Sequence, residues 1–326
     1  MVAQRAERPD ALVERGAPAP TEADLVVLDD ARPAWRTALA RVGAYVALTK
    51  PRVIELLLVT TVPAMVLAAE GWPNWQLVVS VLIGGSLSAG SANTVNCWIE
   101  RDRDQLMNRT RRRPLPTGRV APVRALAFGL VLQVVAFGLL WWQANLLAAV
   151  ISLLAMLFYV FVYTIWLKPR SDQNIVIGGA AGAAPVLIGW AAVTGSLGAA
   201  PWVMFALIFL WTPAHFWALA IRYLDDYRRG GFPMLPVVRG VPAATRQITL
   251  YAALTVVASL LLPLVATLSW IYLAAAGILG ALFVGRALVL QRTHGDPQRA
   301  IDFFTLSNMY LAALFVALAA DVLLLD

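Results

Sequence analysis

The sequence predicts an all-α polytopic membrane protein with nine membrane-crossing helices, and three observations carry that reading. The chain is 60% hydrophobic and 14% charged, whereas soluble domains run near about 25% charged. Its apolar stretches are long enough to cross a hydrocarbon core of about 30 Å. Its Lys and Arg residues collect in every second connection between those stretches, the asymmetry expected when short cytoplasmic loops retain positive charge.

Residues 1–33 mix Pro, Ala, Glu, Asp and Arg without an apolar run. They lack both a signal-peptide core and the material for a packed domain, which predicts a disordered cytoplasmic tail ahead of a transmembrane domain over residues 34–326. From Trp35 to Tyr45 apolar residues alternate with Arg36 and Arg41, a pattern that suits a helix lying on the membrane surface. Lys50, Pro51 and Arg52 mark the start of the first span. The spans are predicted at 53–71, 75–98, 123–142, 145–167, 174–194, 202–221, 247–267, 270–291 and 304–324.

The second-to-third connection carries eight arginines between Arg101 and Arg124, the fourth-to-fifth Lys168 and Arg170, the sixth-to-seventh five arginines between Arg222 and Arg246, and the eighth-to-ninth Arg292 and Arg299. The turns near Gly71–Asn74, Trp142–Asn145, Gly195–Pro201 and Thr267–Trp270 contain no Lys or Arg. The N-terminus is therefore expected in the cytoplasm and the C-terminus outside it. The net charge of +7 does not argue for nucleic acid, because these arginines border membrane spans, where topology and anionic headgroups explain them. The single cysteine, Cys97, excludes an intramolecular disulfide and a multi-cysteine metal site, leaving it a packing role.

Residues Asn96 to Pro116 place three acids and six arginines at the end of an apolar, small-residue-rich run. Asn96, Glu100 and Asp104 recur every four residues, so on a continuing helix they lie along one face over about 12 Å of axis. Asp102 falls on the opposite face. Acids at a helix end also pair with neighbouring arginines, but Asn96 lies toward the membrane interior, where a polar side chain is expensive unless partnered. Carboxylates and an amide oxygen are the hard ligands that Mg²⁺ takes, with phosphate oxygens completing its shell. Arg109 and Arg113, with Arg111 and Arg112 between them, supply fork-shaped donors that match phosphate. Metal-binding acids beside anion-binding bases together describe a diphosphate site.

A second charged loop, Arg222–Pro242, contains Asp225 and Asp226 one turn past the sixth span. Four spans separate the two loops, a pattern compatible with a diverged repeat. Lys50, Arg52, Lys168 and Arg170 border spans on the same side, where they serve either as interface anchors or as further anion ligands. Tyr163, Gln173 and Asn174 add polar groups at that level. His215, in WTPAHFWALA with Pro213 just ahead, is either a hydrogen-bonded packing residue or a ligand; Trp211, Phe216 and Trp217 around it would line a flat aromatic cavity. Gly84, Gly85, Ser88, Gly178, Gly179 and Gly182 permit close helix approach.

The combination of YVALTKPRVIELLLVTTVPAMV, NCWIERDRDQLMNRTRRRPLPTGRV, YTIWLKPRSDQNIVIGGAAGAAPVLIGW and FLWTPAHFWALAIRYLDDYRRGGFPMLPVV resembles the intramembrane aromatic prenyltransferases of the UbiA superfamily, and within it the protoheme IX farnesyltransferase family. The resemblance implies a bundle of nine transmembrane helices around a central cavity in a bacterial inner membrane. It implies transfer of a farnesyl group from farnesyl diphosphate to haem B with water, and product hand-off to haem A synthase or the oxidase assembly machinery. It assigns Asn96, Glu100 and Asp104 to the first metal-diphosphate motif and Asp225 and Asp226 to the second. Two departures accompany it: Glu100 stands where that family usually has Asp, and the positions four after Asp225 and Asp226 are Arg229 and Gly230 rather than acids. Both aspartates therefore stand as candidates. Lys50, Arg52, Arg109, Arg113 and Lys168 fall to the diphosphate and His215 to haem. Other acceptors, such as quinone or chlorophyll precursors, share the metal chemistry. A secondary transporter would instead place its acids near the bilayer midplane, and an assembly factor would not need acids and bases together.

Overall fold

Prolines and asparagines punctuate the chain into helices, and the computed structural model describes residues 34–325, without the side chains of 34–37, 52–58 and 325. The tail over 1–33 lies outside the described residues. The chain divides into two units, Met1–Val42 and Gly43–Asp326. In the first, the described residues are helical, with Leu39 and Val42 exposed. The predicted helix over Trp35–Tyr45 belongs to α1, Ala34–Thr49.

Helix α1 ends where Pro51 begins α2, Pro51–Ala69. Proline lacks an N–H and suits a first helical turn, while it drives the preceding residue out of the helical region. Lys50 sits in left-handed backbone at φ 53° rather than in the extended region that a following proline favours, and the left-handed conformation costs a non-glycine residue about 1–2 kcal/mol. The expense is met by its side chain, as the site shows. Helix α3, Trp75–Asp104, starts on Asn74, whose side chain accepts from the N–H groups of Gln76 and Leu77 and so satisfies two orphan donors. Its 30 residues reach about 45 Å, longer than the bilayer core requires. The helix therefore runs six residues past the predicted end at 98 and carries Asn96, Glu100 and Asp104 on one continuous face.

Helix α4, Pro122–Gln143, returns to a turn capped by Asn145. Helix α5, Leu146–Leu157, continues as a ten-residue π-helix over Phe158–Leu167, a winding frequent at functional sites. Helices α6 (Asn174–Thr194) and α7 (Ala199–Arg222) follow, then two short helices, α8 (Leu224–Arg229) and α9 (Leu235–Val238), in the second charged loop. Helices α10 (Val241–Leu261), α11 (Trp270–Arg292) and α12 (Pro297–Leu325) complete the described chain.

Sequential packing of α2, α3, α4, α5, α6, α7, α10, α11 and α12 closes into a ring, because α12 packs back on α2. Eight of these helices are long and apolar enough to cross a membrane among the described residues. Helix α2, of 19 residues, takes the place of the first predicted span. One hydrophobic cluster joins α6, α7, α10, α11 and α12 around Trp217, Tyr272, Phe283 and Phe303. A second, built on Met65, Val81, Leu140 and Ile188, lies toward the end opposite the charged loops. Cys97 is buried in a third beside Leu48, the packing role expected of it.

The π-helical turn depends on close approach by α6. A Cβ on Gly178 would lie 2.2 Å from Tyr163 Cδ2, whereas one on Gly182, a turn further along the same helix, would meet nothing within 4 Å. Gly178→Ala should therefore lower the unfolding temperature measured in detergent, through an overpacking cost of about 1–3 kcal/mol. Gly182→Ala should leave it level or slightly higher. Equal melting of the two variants would remove Tyr163 against Gly178 as a packing constraint.

Candidate active site

Where α3 emerges with its acids, the sequence also supplies bases from three segments, and they converge on a cavity of about 530 Å³. Its rim holds Lys50, Asn96, Glu100, Asp104, Arg109, Arg113 and Lys168, and its walls hold Tyr159, Tyr163, Phe216, Tyr227 and Phe232. A smaller apolar cavity of about 170 Å³ adjoins it between α3, α5 and α6, with Asn93, Tyr159 and Gly182 lining both.

Each acid or amide of α3 has its own partner. Asn96 accepts at Oδ1 from Lys50 Nζ at 2.7 Å and donates from Nδ2 to Thr164 Oγ1 at 3.2 Å. Thr164 in turn donates to the Tyr159 carbonyl five residues back, a bond that the π winding makes possible. Glu100 pairs with Lys168 at 2.5 Å, and both Asp104 oxygens accept from Arg113 Nη1, at 3.0 and 2.8 Å. All three α3 residues are buried, so unpaired they would carry a large desolvation cost. Asp102 is exposed beside Arg101, on the opposite face as expected.

The bases feel the same environment. Burial pulls the Lys168 ammonium toward neutrality, but Glu100 beside it more than offsets this and holds it above the usual lysine range. Arg113 behaves alike: burial opposes its charge and Asp104 restores it. Lys50 differs, because burial pushes it below the usual range and its hydrogen-bond partner is a neutral amide. Lys168 also lies 4.8 Å from the centre of the Phe232 ring, and the Arg109 guanidinium lies over Tyr223 and Tyr227. Four cations thus face two carboxylates around the cavity, an excess that suits a polyanion.

The two aspartates of the second loop part company. Asp226 is buried and accepts from the backbone N–H groups of Asn108 and Arg109, at 3.3 and 3.1 Å, and from Arg229. Burial works against its charge, yet these donors hold its carboxyl below the usual aspartate range. It therefore ties the loop that carries Arg109 and Arg113 to α8. Asp225 is 77% exposed and pairs with Arg228. Neither lines the cavity, and among the described residues no three of His, Cys, Asp and Glu gather into a possible metal cluster.

Of the other sequence candidates, His215 lines the cavity with its Nδ1 2.7 Å from Ser307 Oγ. The Arg52 side chain lies outside the described residues. Arg170 donates to the carbonyls of Ile165 and Trp166, and Asn174 to that of Ser171; neither these nor Gln173, Arg111 and Arg112 line the cavity. Trp211 and Phe216 line it but Trp217 packs in the core behind. Sequence reasoning passed over Asn93, Tyr159, Tyr227, Phe232, Ser307 and Asn308. Asn93 carried a signal, a second amide one turn before Asn96, and it donates to the Thr49 carbonyl at 3.0 Å. Ser307 and Asn308 carried none, because they sit in the ninth predicted span with no spacing to link them to α3.

Residues 57–314 match the UbiA prenyltransferase family. The chain is 54% identical to protoheme IX farnesyltransferase 1 of Saccharopolyspora erythraea, over 90% of this chain and 94% of that one. It is 51% identical to a protoheme IX farnesyltransferase of Parafrankia sp., over 88% and 92% of the two. Among solved structures, a digeranylgeranylglyceryl phosphate synthase superposes with a TM-score of 0.71 at 17% identity, over 87% of this chain and 99% of that one. A UbiA homologue from Archaeoglobus fulgidus, bound to DMAPP and Mg²⁺, gives a TM-score of 0.58 at 16% identity, over 84% and 98%. Those two likenesses show the fold. The chain belongs to the UbiA prenyltransferase family.

Proposed function

We propose that the chain transfers the farnesyl group of farnesyl diphosphate to a vinyl group of haem B, with water, giving haem O and diphosphate. The observation that supports this reading best is the cavity itself, with acids and excess bases at its rim and aromatic and apolar walls beneath them. The chemistry of the donor set fits Mg²⁺: the Asn96 amide oxygen, Glu100 and Asp104 are hard ligands, and Mg²⁺ is usually held by one or two carboxylates with phosphate oxygens and water. Bound there, it would supply Lewis-acid stabilisation of the departing diphosphate. Lys50, Arg109, Arg113 and Lys168 would bind the phosphate oxygens, with Arg52 as a further candidate.

Binding on this reading is an exchange of partners. Lys168 and Arg113 turn from Glu100 and Asp104 to the diphosphate, so neither the acids nor the bases are left buried without a counter-charge. The C1–O bond of the allylic diphosphate then breaks and leaves an allylic cation, beside which Tyr159 and Tyr163 present ring faces. The terminal vinyl carbon of the porphyrin attacks C1, water adds to the ring-side carbon, and loss of a proton leaves the hydroxyl. The isoprenoid chain fits the adjoining apolar cavity, lined by Val81, Gly85, Met156 and Ile188. Asp226 acts from outside the cavity, by holding the arginine loop over it. The arginine asymmetry supports a cytoplasmic rim and N-terminus and a C-terminus on the other side of the membrane.

Purified protein supplied with Mg²⁺, haem B and farnesyl diphosphate should yield farnesylated haem, detected by mass spectrometry, and Asp104→Ala should abolish it without unfolding the bundle. Absence of product from the parent chain with several prenyl donors would overturn the function, and full turnover in Asp104→Ala would overturn the site. Asp226→Asn should raise the KM for the diphosphate by far more than Asp225→Asn; equal effects would contradict the tethering role.

The buried pair can be tested on stability. Glu100→Gln alone leaves Lys168 uncompensated, which should cost about 3–5 kcal/mol, while adding Lys168→Met should recover most of that loss. Simple additivity of the two single changes in detergent unfolding would mean that the groups are not coupled.

A further inference from the structure

His215 is held more tightly than packing requires. Its imidazole is the middle of a three-ring stack, with the Trp211 ring 4.2 Å away at 20° and the Phe304 ring 4.3 Å away at 28°. The carbonyl and hydroxyl oxygens of Ser307, on α12, both meet side chains of α7. The Ser307 carbonyl accepts from Trp211 Nε1 at 3.0 Å, and Ser307 Oγ lies 2.7 Å from His215 Nδ1.

The direction of that last bond follows from counting protons. A serine hydroxyl has one hydrogen to donate. Ser307 Oγ lies 2.6 Å from the Phe304 carbonyl oxygen, which can only accept. The hydroxyl hydrogen is therefore used there, and toward the imidazole the serine oxygen is the acceptor. Nδ1 must carry the ring proton. The other nitrogen, Nε2, then presents a lone pair, and no hydrogen bond to it is formed among the described residues, on a side chain that lines the large cavity.

A ring nitrogen with a lone pair, on an imidazole whose other N–H is fixed by a hydrogen bond, is the arrangement that metal-ligating histidines show. We propose that Ser307 is a positioning residue that fixes the Nδ1–H tautomer of His215, so that His215 Nε2 ligates the iron of the porphyrin acceptor. The two flanking rings restrict rotation of the imidazole about its own axis, so ligation would also orient the macrocycle. A vinyl edge could then be directed toward the acidic rim. This inference rests on the haem reading above, and it adds an iron ligand and the residue that sets its tautomer.

The test uses the full chain in detergent with haem B and no prenyl donor, read by haem affinity and by the iron–histidine stretch in the resonance Raman spectrum of the reduced complex. His215→Phe preserves a three-ring stack without a ring nitrogen, and should abolish the iron–histidine band. Ser307→Ala should keep the band but lower its frequency, and weaken haem affinity by roughly tenfold, the usual loss when a ligand's supporting hydrogen bond is removed. An unchanged band in His215→Phe, or unchanged frequency and affinity in Ser307→Ala, would overturn the proposal. Failure of the parent chain to bind haem would sink the haem reading itself, an outcome distinct from haem binding that ignores both substitutions.

Discussion

A carboxylate at the edge of an apolar helix bundle stays ionised only if a cation comes to it, and the polar end of this molecule is arranged around that requirement. Glu100 and Asp104 are buried, and isolated charges in such surroundings cost far more than one helix can offset. Their partners come from elsewhere: Lys168 from the end of the π-helical turn, Arg113 from the loop after α3. Each pair therefore fixes a piece of backbone that the apolar contacts leave free. Such pairs add little net stability compared with well-packed apolar groups, but breaking one leaves a buried charge exposed to its full desolvation cost. The arrangement is accordingly better suited to exchanging partners than to losing them.

Several local departures from regular structure trace to the same demand. Lys50 occupies left-handed backbone at a proline-enforced break, and that geometry brings its ammonium to the Asn96 amide. The α5 helix widens at Phe158, which sets Thr164 against Tyr159 and Asn96 and carries Lys168 to Glu100. Asp226 draws the backbone of the arginine loop down through two N–H groups. Strained or irregular backbone persists where surrounding contacts over-determine it, and here the contacts are charge–charge and charge–amide bonds. At the opposite end of the bundle a buried carboxylate, Asp321, is satisfied differently. It accepts from Ser269 and from the N–H of Tyr272 at the start of α11, so it closes a helix end and lines neither of the two cavities.

The spans were legible because each is an apolar run bounded by Pro, Gly or Asn, and the four-residue step of Asn96, Glu100 and Asp104 was legible because helical periodicity is local. The convergence of Arg109, Arg113, Lys50 and Lys168 on one cavity could be anticipated only in outline, from their shared membrane side. The π turn could not be read, since FYVFVYTIWL looks like any aromatic, β-branched helix, and its widening arises from contacts with α3 and α6. The second aspartate pair was the hardest to resolve. Asp225 and Asp226 are adjacent and chemically identical, and only the short helix α8 turns one outward and the other onto the arginine loop. Ser307 was invisible for a similar reason: its relation to His215 spans 92 residues and depends on α7 packing against α12.

One face of α3 links the two chemistries that the proposed reaction needs. Val81, Gly85, Ser88 and Ala92 line the apolar cavity, and Asn96, Glu100 and Asp104 line the charged one. At 3.6 residues per turn these seven drift by about 160° around α3 and form a slowly winding stripe, and a single rigid helix sets the distance between the place for an apolar chain and the place for its charged end. A donor with a diphosphate at one end and an isoprenoid at the other is matched by such a stripe, whereas a small ion would use only its last turns. The acceptor must then approach from the remaining wall. That wall is α7 and α12, where Trp211, His215 and Phe304 present a stacked, flat surface of the kind a porphyrin can meet, with the reacting carbon between the two.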